Sequence, residues 1–289
     1  MSQKSILNLF IILSVVALVA VPVIVGGYRA ELARWYIAAA INAVEIYGES
    51  GEKEIQRALE WDSQIEMDPA YLHFRLSEMK MKGSPTDALV KFVGKLDPHK
   101  SSDRSLFLDV QSLLYERKEY WIEVEVIESF LLPEDRESAT NLNLLAYLRA
   151  LCARELDTAL QDIDKALSIA PDDPNLLDTR AWVHFQAGNP SKALDDSQRA
   201  VELYVTLISD WDSFLTSQKQ LLDRFRQEHA SKTEEFLVSE SQIHRVLWAY
   251  GVLRYHRAKI LETLGRIDEA QADLDWLKDW HLPTDGTLQ

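Results

Sequence analysis

Cysteine and glycine are scarce in this sequence. The single cysteine, Cys152, excludes an intrachain disulfide, which needs two thiols, and it excludes structural zinc bound by several thiolates. Only 10 of the 289 residues are glycine, and the one adjacent pair, Gly26 and Gly27, lies at the end of an apolar run. Because phosphate-binding loops need clustered glycines, a nucleotide-binding loop is not expected.

The charge of the chain is strongly one-sided. Acidic residues outnumber basic ones by 46 to 31, which gives a net charge of −15. A field of this sign repels the phosphates of nucleic acids and of anionic lipids, so no nucleic-acid partner is expected. A basic peptide or protein would be attracted instead. The alternative is that the acidic residues only solvate the surfaces of helices.

Residues that usually carry catalysis or bind metals form no motif here. None of the seven histidines lies four residues from another, the helical spacing that metal sites favour. We expect His184 and His256 to pack or to face solvent, Cys152 to be an ordinary buried thiol, and the acidic stretch 171–175 to cap a helix. No cofactor, metal ion or small-molecule substrate is predicted, and the chain is predicted not to be an enzyme.

A long uncharged stretch lies near the N-terminus. Residues 6–27 contain no charged side chain, and as a helix they would span roughly 33 Å, enough to cross a bilayer. We therefore predict a transmembrane helix over 6–28, preceded by a short tail, 1–5, and followed at an interfacial distance by Trp35 and Tyr36. A cleaved secretory signal is the alternative, since small residues at the end of this stretch could precede a cleavage site.

The orientation of this helix is poorly determined by its flanks. Lys4 precedes the span, whereas Arg29 and Arg34 follow it, so the count of positive charges is nearly balanced. We expect a single-pass membrane protein with most of the chain on the extracytoplasmic side, because a short N-terminal tail stays inside easily. A cytoplasmic location of the bulk remains the alternative.

Alanines recur at a fixed interval in the middle of the chain. Ala159 and Ala166 are followed 34 residues later by Ala193 and Ala200. Apolar residues around them recur every three or four positions, which indicates amphipathic helices, and the alternation typical of strands is rare. The pattern resembles the tetratricopeptide repeat, a helix–turn–helix unit of 34 residues in which small residues mark close contacts between helices.

Glycine and proline mark where the predicted helices end and begin. Gly83 and Gly188 are each expected at a helix end, followed by a cap and then by proline at the first helical position. The predicted pairs of N-cap and first helical residue are Ser84 with Pro85, Asp173 with Pro174, and Asn189 with Pro190.

The resemblance covers most of the chain with uneven strength. In the first of the strong units, Tyr147 and Arg154 depart from the usual small residue and turn glycine. The strong units are 140–173, 174–204 and 251–284, the weaker ones are 31–67, 69–98 and 104–133, and a short tail, 285–289, ends the chain.

A helical insertion, 205–247, separates the second and third strong units. Its apolar residues keep helical spacing, so we expect the preceding helix to continue outward, if unbroken from Ser191 to Glu228, and then to turn near 229–234. This hairpin would fold on itself or across the array, or contact a partner. Near the C-terminus, Trp276 and Trp280 are expected to pack a capping helix.

The resemblance implies an all-α fold. A single helical hairpin cannot bury its own apolar face, so stacked neighbours supply the missing partner. The implied domain, 29–284, is a right-handed α–α superhelix, that is, a solenoid of helical hairpins resembling tetratricopeptide repeats, preceded by one transmembrane helix.

In this family the first helices of the units line a concave surface that binds extended peptides or partner helices. Some members clamp a terminal carboxylate with lysines and asparagines, and this chain departs from that pattern. An apolar or basic segment is predicted instead. The predicted contact residues are Leu144, Leu148, Asn175, Asp178, Trp182, Phe185 and Gln186; the alternative is that such aromatic side chains belong to the core between repeats.

These features favour a binding function. The leading hypothesis is a non-enzymatic, membrane-anchored scaffold that mediates protein–protein interactions. Tethering to a membrane would raise the local concentration of whatever the scaffold binds. The alternative is a self-associating structural component or assembly factor of the cell envelope.

Overall fold

A computed structural model describes residues 27–228 and 244–285. Within these ranges the regular elements are helices and no strand occurs, which confirms the predicted all-α class. None of the helices described is both long and apolar enough to cross a bilayer. The predicted span, 6–28, lies outside the described residues except for 27 and 28.

The chain divides into two compact units, of which the first ends at Lys118 and the second starts at Glu119, whereas the sequence analysis treats 29–284 as one domain. In the first unit, α1, α2 and α3 share an apolar core, and both α3 and α4 contact α5. Its helices are α1 (27–45), α2 (Glu52–Trp61), a short 3₁₀ turn (Ile65–Met67), α3 (Pro69–Met81), α4 (Thr86–Val93) and α5 (Ser101–Glu116).

The second unit consists mainly of helices that pair with their neighbours in sequence. The closest pairs are α8 with α9, α10 with α11, and α13 with α14. Its helices are α6 (Tyr120–Phe130), α7 (Pro133–Arg136), α8 (Ala139–Leu151), α9 (Leu156–Ile169), α10 (Pro174–Gln186), α11 (Pro190–Thr206), α12 (Trp211–Glu228), α13 (His244–Thr263) and α14 (Ile267–Asp279).

The alanines that set the sequence interval lie between these helices. Ala159, Ala166, Ala193 and Ala200 are all completely buried. Their small side chains allow helix backbones to approach closely, and a larger side chain at any of them would overpack the core. The interval therefore records repeated helix contacts.

Helices in both units end in the same left-handed turn. A residue with positive φ lies two or three positions beyond the helix end, and five such residues follow one another at intervals of 35. After Gly188, for example, the Asn189 N–H donates to the carbonyl of His184, which satisfies a carbonyl that the helix leaves free. The residues are Gly48, Gly83, Lys118, Ala153 and Gly188, and Gly265 repeats the turn 77 residues after Gly188.

Ala153 adopts this left-handed conformation, with a φ of 51°, without being glycine. Because a Cβ atom is unfavourable there, we expect Ala153→Gly to raise the free energy of unfolding by roughly 0.5–1 kcal/mol. Urea denaturation measures the change. The matched control is Ala187→Gly, where φ is −79° and glycine should destabilise the protein; a loss of stability in both variants would contradict the prediction.

The predicted caps are formed with some differences. Asp173 accepts a hydrogen bond from the Asn175 N–H at 2.8 Å, and Pro174 begins α10, as predicted. Pro190 begins α11, but its N-cap, Asn189, makes no side-chain capping bond. At α4 the boundary is shifted by one residue, because Pro85 is the N-cap instead of Ser84.

The insertion does not continue α11 as one long helix. Helix α11 ends at Thr206 and α12 begins at Trp211. Asp210 causes the restart, since its side chain accepts a hydrogen bond from the Ser213 N–H at 3.0 Å and so caps a new helix. The condition of an unbroken helix from Ser191 to Glu228 is therefore not met, and the predicted turn at 229–234 lies outside the described residues.

Gly51 marks the closest approach of chain segments in the first unit. A Cβ atom at this position would lie 2.6 Å from the carbonyl oxygen of Ala40 and 2.7 Å from the ring of Phe74. We expect Gly51→Ala to lower the free energy of unfolding by about 2 kcal/mol, because backbone and core would have to shift. Gly94→Ala is the control, since its nearest atom is 3.5 Å away; equal effects in urea denaturation would contradict this explanation.

Candidate functional site

The predicted binding residues belong to α8 and α10 of the second unit. Three of them, Leu148, Asp178 and Trp182, are buried, with 0%, 4% and 3% of their surface exposed. The remaining four are accessible to different degrees. Leu144, Phe185 and Gln186 are half-buried, and Asn175 is exposed.

A buried polar cluster joins α10 to α13. The Nδ1 atom of His256 lies 2.8 Å from Oδ2 of Asp178, and the imidazole stacks on Trp182 with ring centroids 4.1 Å apart. Trp182 in turn stacks on Phe185 at 5.0 Å. The structure thus brings Asp178, Trp182 and Phe185 together around a histidine that comes from the third predicted unit.

This arrangement corrects the prediction for Asp178 and Trp182. Helix α13 covers both side chains, so a peptide on the surface cannot reach them while α13 stays in place. The structure supports the alternative for these two residues, the core between hairpins. Leu148 is equally enclosed, whereas the contact role of Leu144, Asn175, Phe185 and Gln186 stays a prediction.

The cluster is unusual for a helical core in its hydrogen bonding. Oδ1 of Asp178, Nε1 of Trp182 and Nε2 of His256 are buried and have no hydrogen-bond partner among the described residues. A carboxylate next to an imidazole resembles the acid–base pairs of enzymes. His256, however, is 0% exposed, so a dissolved substrate does not reach the imidazole in this structure.

Arginine–aspartate pairs connect the two helices of successive hairpins. Arg180 of α10 binds both carboxylate oxygens of Asp196 in α11 at 2.7 Å. Arg257 of α13 binds Asp273 of α14 in the same way, at 2.7 and 2.8 Å. Both pairs span 16 residues, and the second follows the first by 77 residues. Sequence analysis missed this match, although the equal spacing was available to find it.

Hydrogen bonds from these arginines to aspartate affect their titration. The bond to Asp196 is the main reason why the pKa of Arg180 is raised, with burial acting in the opposite direction. Arg257 loses solvent on burial, yet its bonds to Asp273 leave its pKa raised. Both guanidinium groups therefore stay charged and hold each hairpin together.

A further arginine, Arg149, forms a hub inside the second unit. Its side chain is 3% exposed and lies 2.6 Å from Glu128 of α6, 2.7 Å from Asp162 of α9 and 3.3 Å from Glu155. Burial raises the pKa of Asp162 despite the opposing effect of Arg149. The hub links three parts of the chain and explains why a charged side chain occupies a buried position on α8.

The other residues weighed in the sequence are structural. The Cys152 thiol is half-buried and donates to the carbonyl of Leu148 at 3.2 Å, and burial raises its pKa, which disfavours the reactive thiolate. His184 is half-buried too, and burial lowers its pKa. Across 27–228 and 244–285, no three His, Cys, Asp or Glu side chains group so as to hold a metal ion.

No family model matches this chain, and no curated protein is significantly similar to it.

Proposed function

We propose that this chain is a non-enzymatic scaffold in which helical hairpins resembling tetratricopeptide repeats stack in a superhelical array and bind partner proteins. The observation that carries the proposal is the left-handed turn that recurs every 35 residues from Gly48 to Gly188. Such regular punctuation is typical of repeat proteins, in which each unit is one supersecondary element.

Packing within the second unit supports the same proposal. Helix α10 contacts both α8 and α9, and α13 contacts both α10 and α11. The first helix of one hairpin thus rests on both helices of the hairpin before it. In a stacked array this arrangement lets each hairpin bury the apolar face that its neighbour leaves open.

A membrane anchor completes the proposal. Its basis is the sequence alone, namely the absence of charge over 6–27 and the length of such a helix relative to a bilayer. The anchor would hold the array at a membrane surface, with the bulk of the chain extracytoplasmic. Protease digestion of intact spheroplasts tests this, because an extracytoplasmic array is degraded and a cytoplasmic one is protected.

The accessible part of the predicted surface is a plausible place for a partner segment. Asn175 lies exposed at the start of α10, and Gln186 is half-buried at its end, next to Phe185. With the strongly acidic charge of the chain, this composition suits an apolar or basic segment.

Site-specific photo-crosslinking in the native host tests the scaffold. A photoreactive phenylalanine analogue is placed at Asn175 or at Gln186 of the full-length chain. We expect the same discrete protein adduct from both positions. The matched control positions are Gln198 of α11 and Gln271 of α14, which are exposed on the second helices of their hairpins. The scaffold proposal fails if the four positions give the same adducts or none.

Self-association is the second candidate. It is favoured by apolar side chains near α12 that reach solvent, since Leu207 is 64% exposed and Leu221 is 43% exposed. Adducts between two copies of the chain, together with a dimeric or larger mass in light scattering, would support this candidate and count against a monomeric adaptor.

A further inference from the structure

An open groove lies between α3 and α4 in the first unit, away from the residues considered above. Its cavity volume is about 420 Å³, which falls within the range of about 300–1,000 Å³ usual for ligand sites. The buried side chains of Leu72 and Phe92 form its floor. Met67, which is 52% exposed, and the half-buried Met79 form its walls.

The walls suit a variable apolar partner. Methionine is unbranched and polarizable, so it adapts its shape to different side chains and is common at surfaces that accept several partners. An exposed methionine above a floor of leucine and phenylalanine leaves apolar surface in contact with water. Covering such surface is favourable, in proportion to the area removed from water.

The charge around this groove is opposite to that of the chain. Four charged side chains line it, and three of them are basic. Lys95 makes no ion pair with any described residue, and Lys91 pairs only with Asp87, at 3.2 Å, where the lysine side chain is 78% exposed. An exposed pair of this kind contributes little, so both lysines can bind a new anion. Glu66 is the acidic member.

The third cation, Arg75, is already engaged. It lies 2.9 Å from Glu78 and 3.3 Å from Glu52, and its guanidinium stacks over Tyr71 at 5.1 Å. Arg75 therefore shapes the wall of the groove, and the available positive charge comes from Lys91 and Lys95. These two residues are four apart, which corresponds to about one helical turn.

We propose that this groove binds an acidic amphipathic helix of a partner protein. Apolar side chains on one face would fill the groove above Leu72 and Phe92, and carboxylates along its edge would pair with Lys91 and Lys95. The net charge of −15 does not prevent this, because charges more than about 8 Å away are screened at physiological salt. The site uses the first unit alone and is independent of the surface on α8 and α10.

Peptide display on the full-length chain tests the proposal. A displayed library of random helical peptides is panned on the unmodified chain and on the double variant Lys91→Glu/Lys95→Glu. We expect enriched peptides that combine an apolar stripe with Asp or Glu, and no such enrichment on the variant. A synthetic enriched peptide, followed by fluorescence anisotropy, should bind the variant about tenfold more weakly, since two attractive pairs become repulsive.

The control variant Lys53→Glu/Lys192→Glu carries the same net charge and changes two exposed lysines outside the groove. It should bind the peptide like the unmodified chain, and circular dichroism should be the same for all three proteins. Enriched peptides without acidic residues, no enrichment, or equal weakening in both variants would overturn the proposal. Vesicles with anionic lipid that bind through Lys91 and Lys95 when peptides do not would also overturn it. Crosslinks from Asn175 and Gln186 are unaffected by any of these results.

Discussion

Replacing Asp178 by alanine is expected to lower the free energy of unfolding by about 3 kcal/mol. The substitution leaves Nδ1 of the fully buried His256 without its partner at 2.8 Å and opens a hole beside Trp182. A buried polar group that loses its partner bears the full cost of leaving water. Urea denaturation followed by tryptophan fluorescence measures the change.

Two further variants separate the pair from a general effect of truncation. Asp195→Ala, at an exposed position of α11, should change stability by no more than about 0.5 kcal/mol. The double variant Asp178→Leu/His256→Phe should be more stable than the sum of its single variants, because neither residue is left unpaired. Additive single effects would show that Asp178 and His256 do not depend on each other.

Glu123 is expected to make the protein less stable as pH rises. This α6 side chain is 3% exposed, and burial raises its pKa from 4.5 to about 7. Between these values the folded protein holds a proton that the unfolded chain releases, so stability falls as pH increases through this window. Glu123→Gln should remove that slope, since the amide stays neutral. At pH 8 the variant should be more stable than the unmodified chain by about 3 kcal/mol.

Below pH 4.5 the two proteins should differ little, because Glu123 is protonated in both the folded and the unfolded chain. Urea titrations at pH 4, 6 and 8 measure the difference between the two proteins, which cancels the titration of other groups. Glu134→Gln, at an exposed position, is the control and should follow the unmodified chain. A constant difference at all pH values would exclude titration of Glu123 as the cause.

The helical class and several helix boundaries could be predicted from the sequence because their signals are local. Apolar spacing of three and four residues indicates helices, and Asp173 followed by Pro174 starts α10 where expected. The alanines at 159 and 193 are fully buried, since only a small side chain fits between closely packed helices.

Features that depend on packing were not predictable in this way. Lys118 and Ala153 take up the left-handed turn that glycine usually occupies, so a search for glycine misses two of the turns. Asp178 and Trp182 lie on one helix face, and the sequence of α10 does not tell whether that face is open or covered. The covering residue, His256, is 78 positions away from Asp178.

That separation has a consequence for synthesis of the chain. Ribosomes add about 5–20 residues per second, so α10 waits on the order of 4–16 seconds before the residue that covers Asp178 has been added. During this interval the Trp182 face of the nascent hairpin is open to water and to other chains. Folding of this protein in the cell therefore has a vulnerable period in which a chaperone, or a slow C-terminal half, decides the yield.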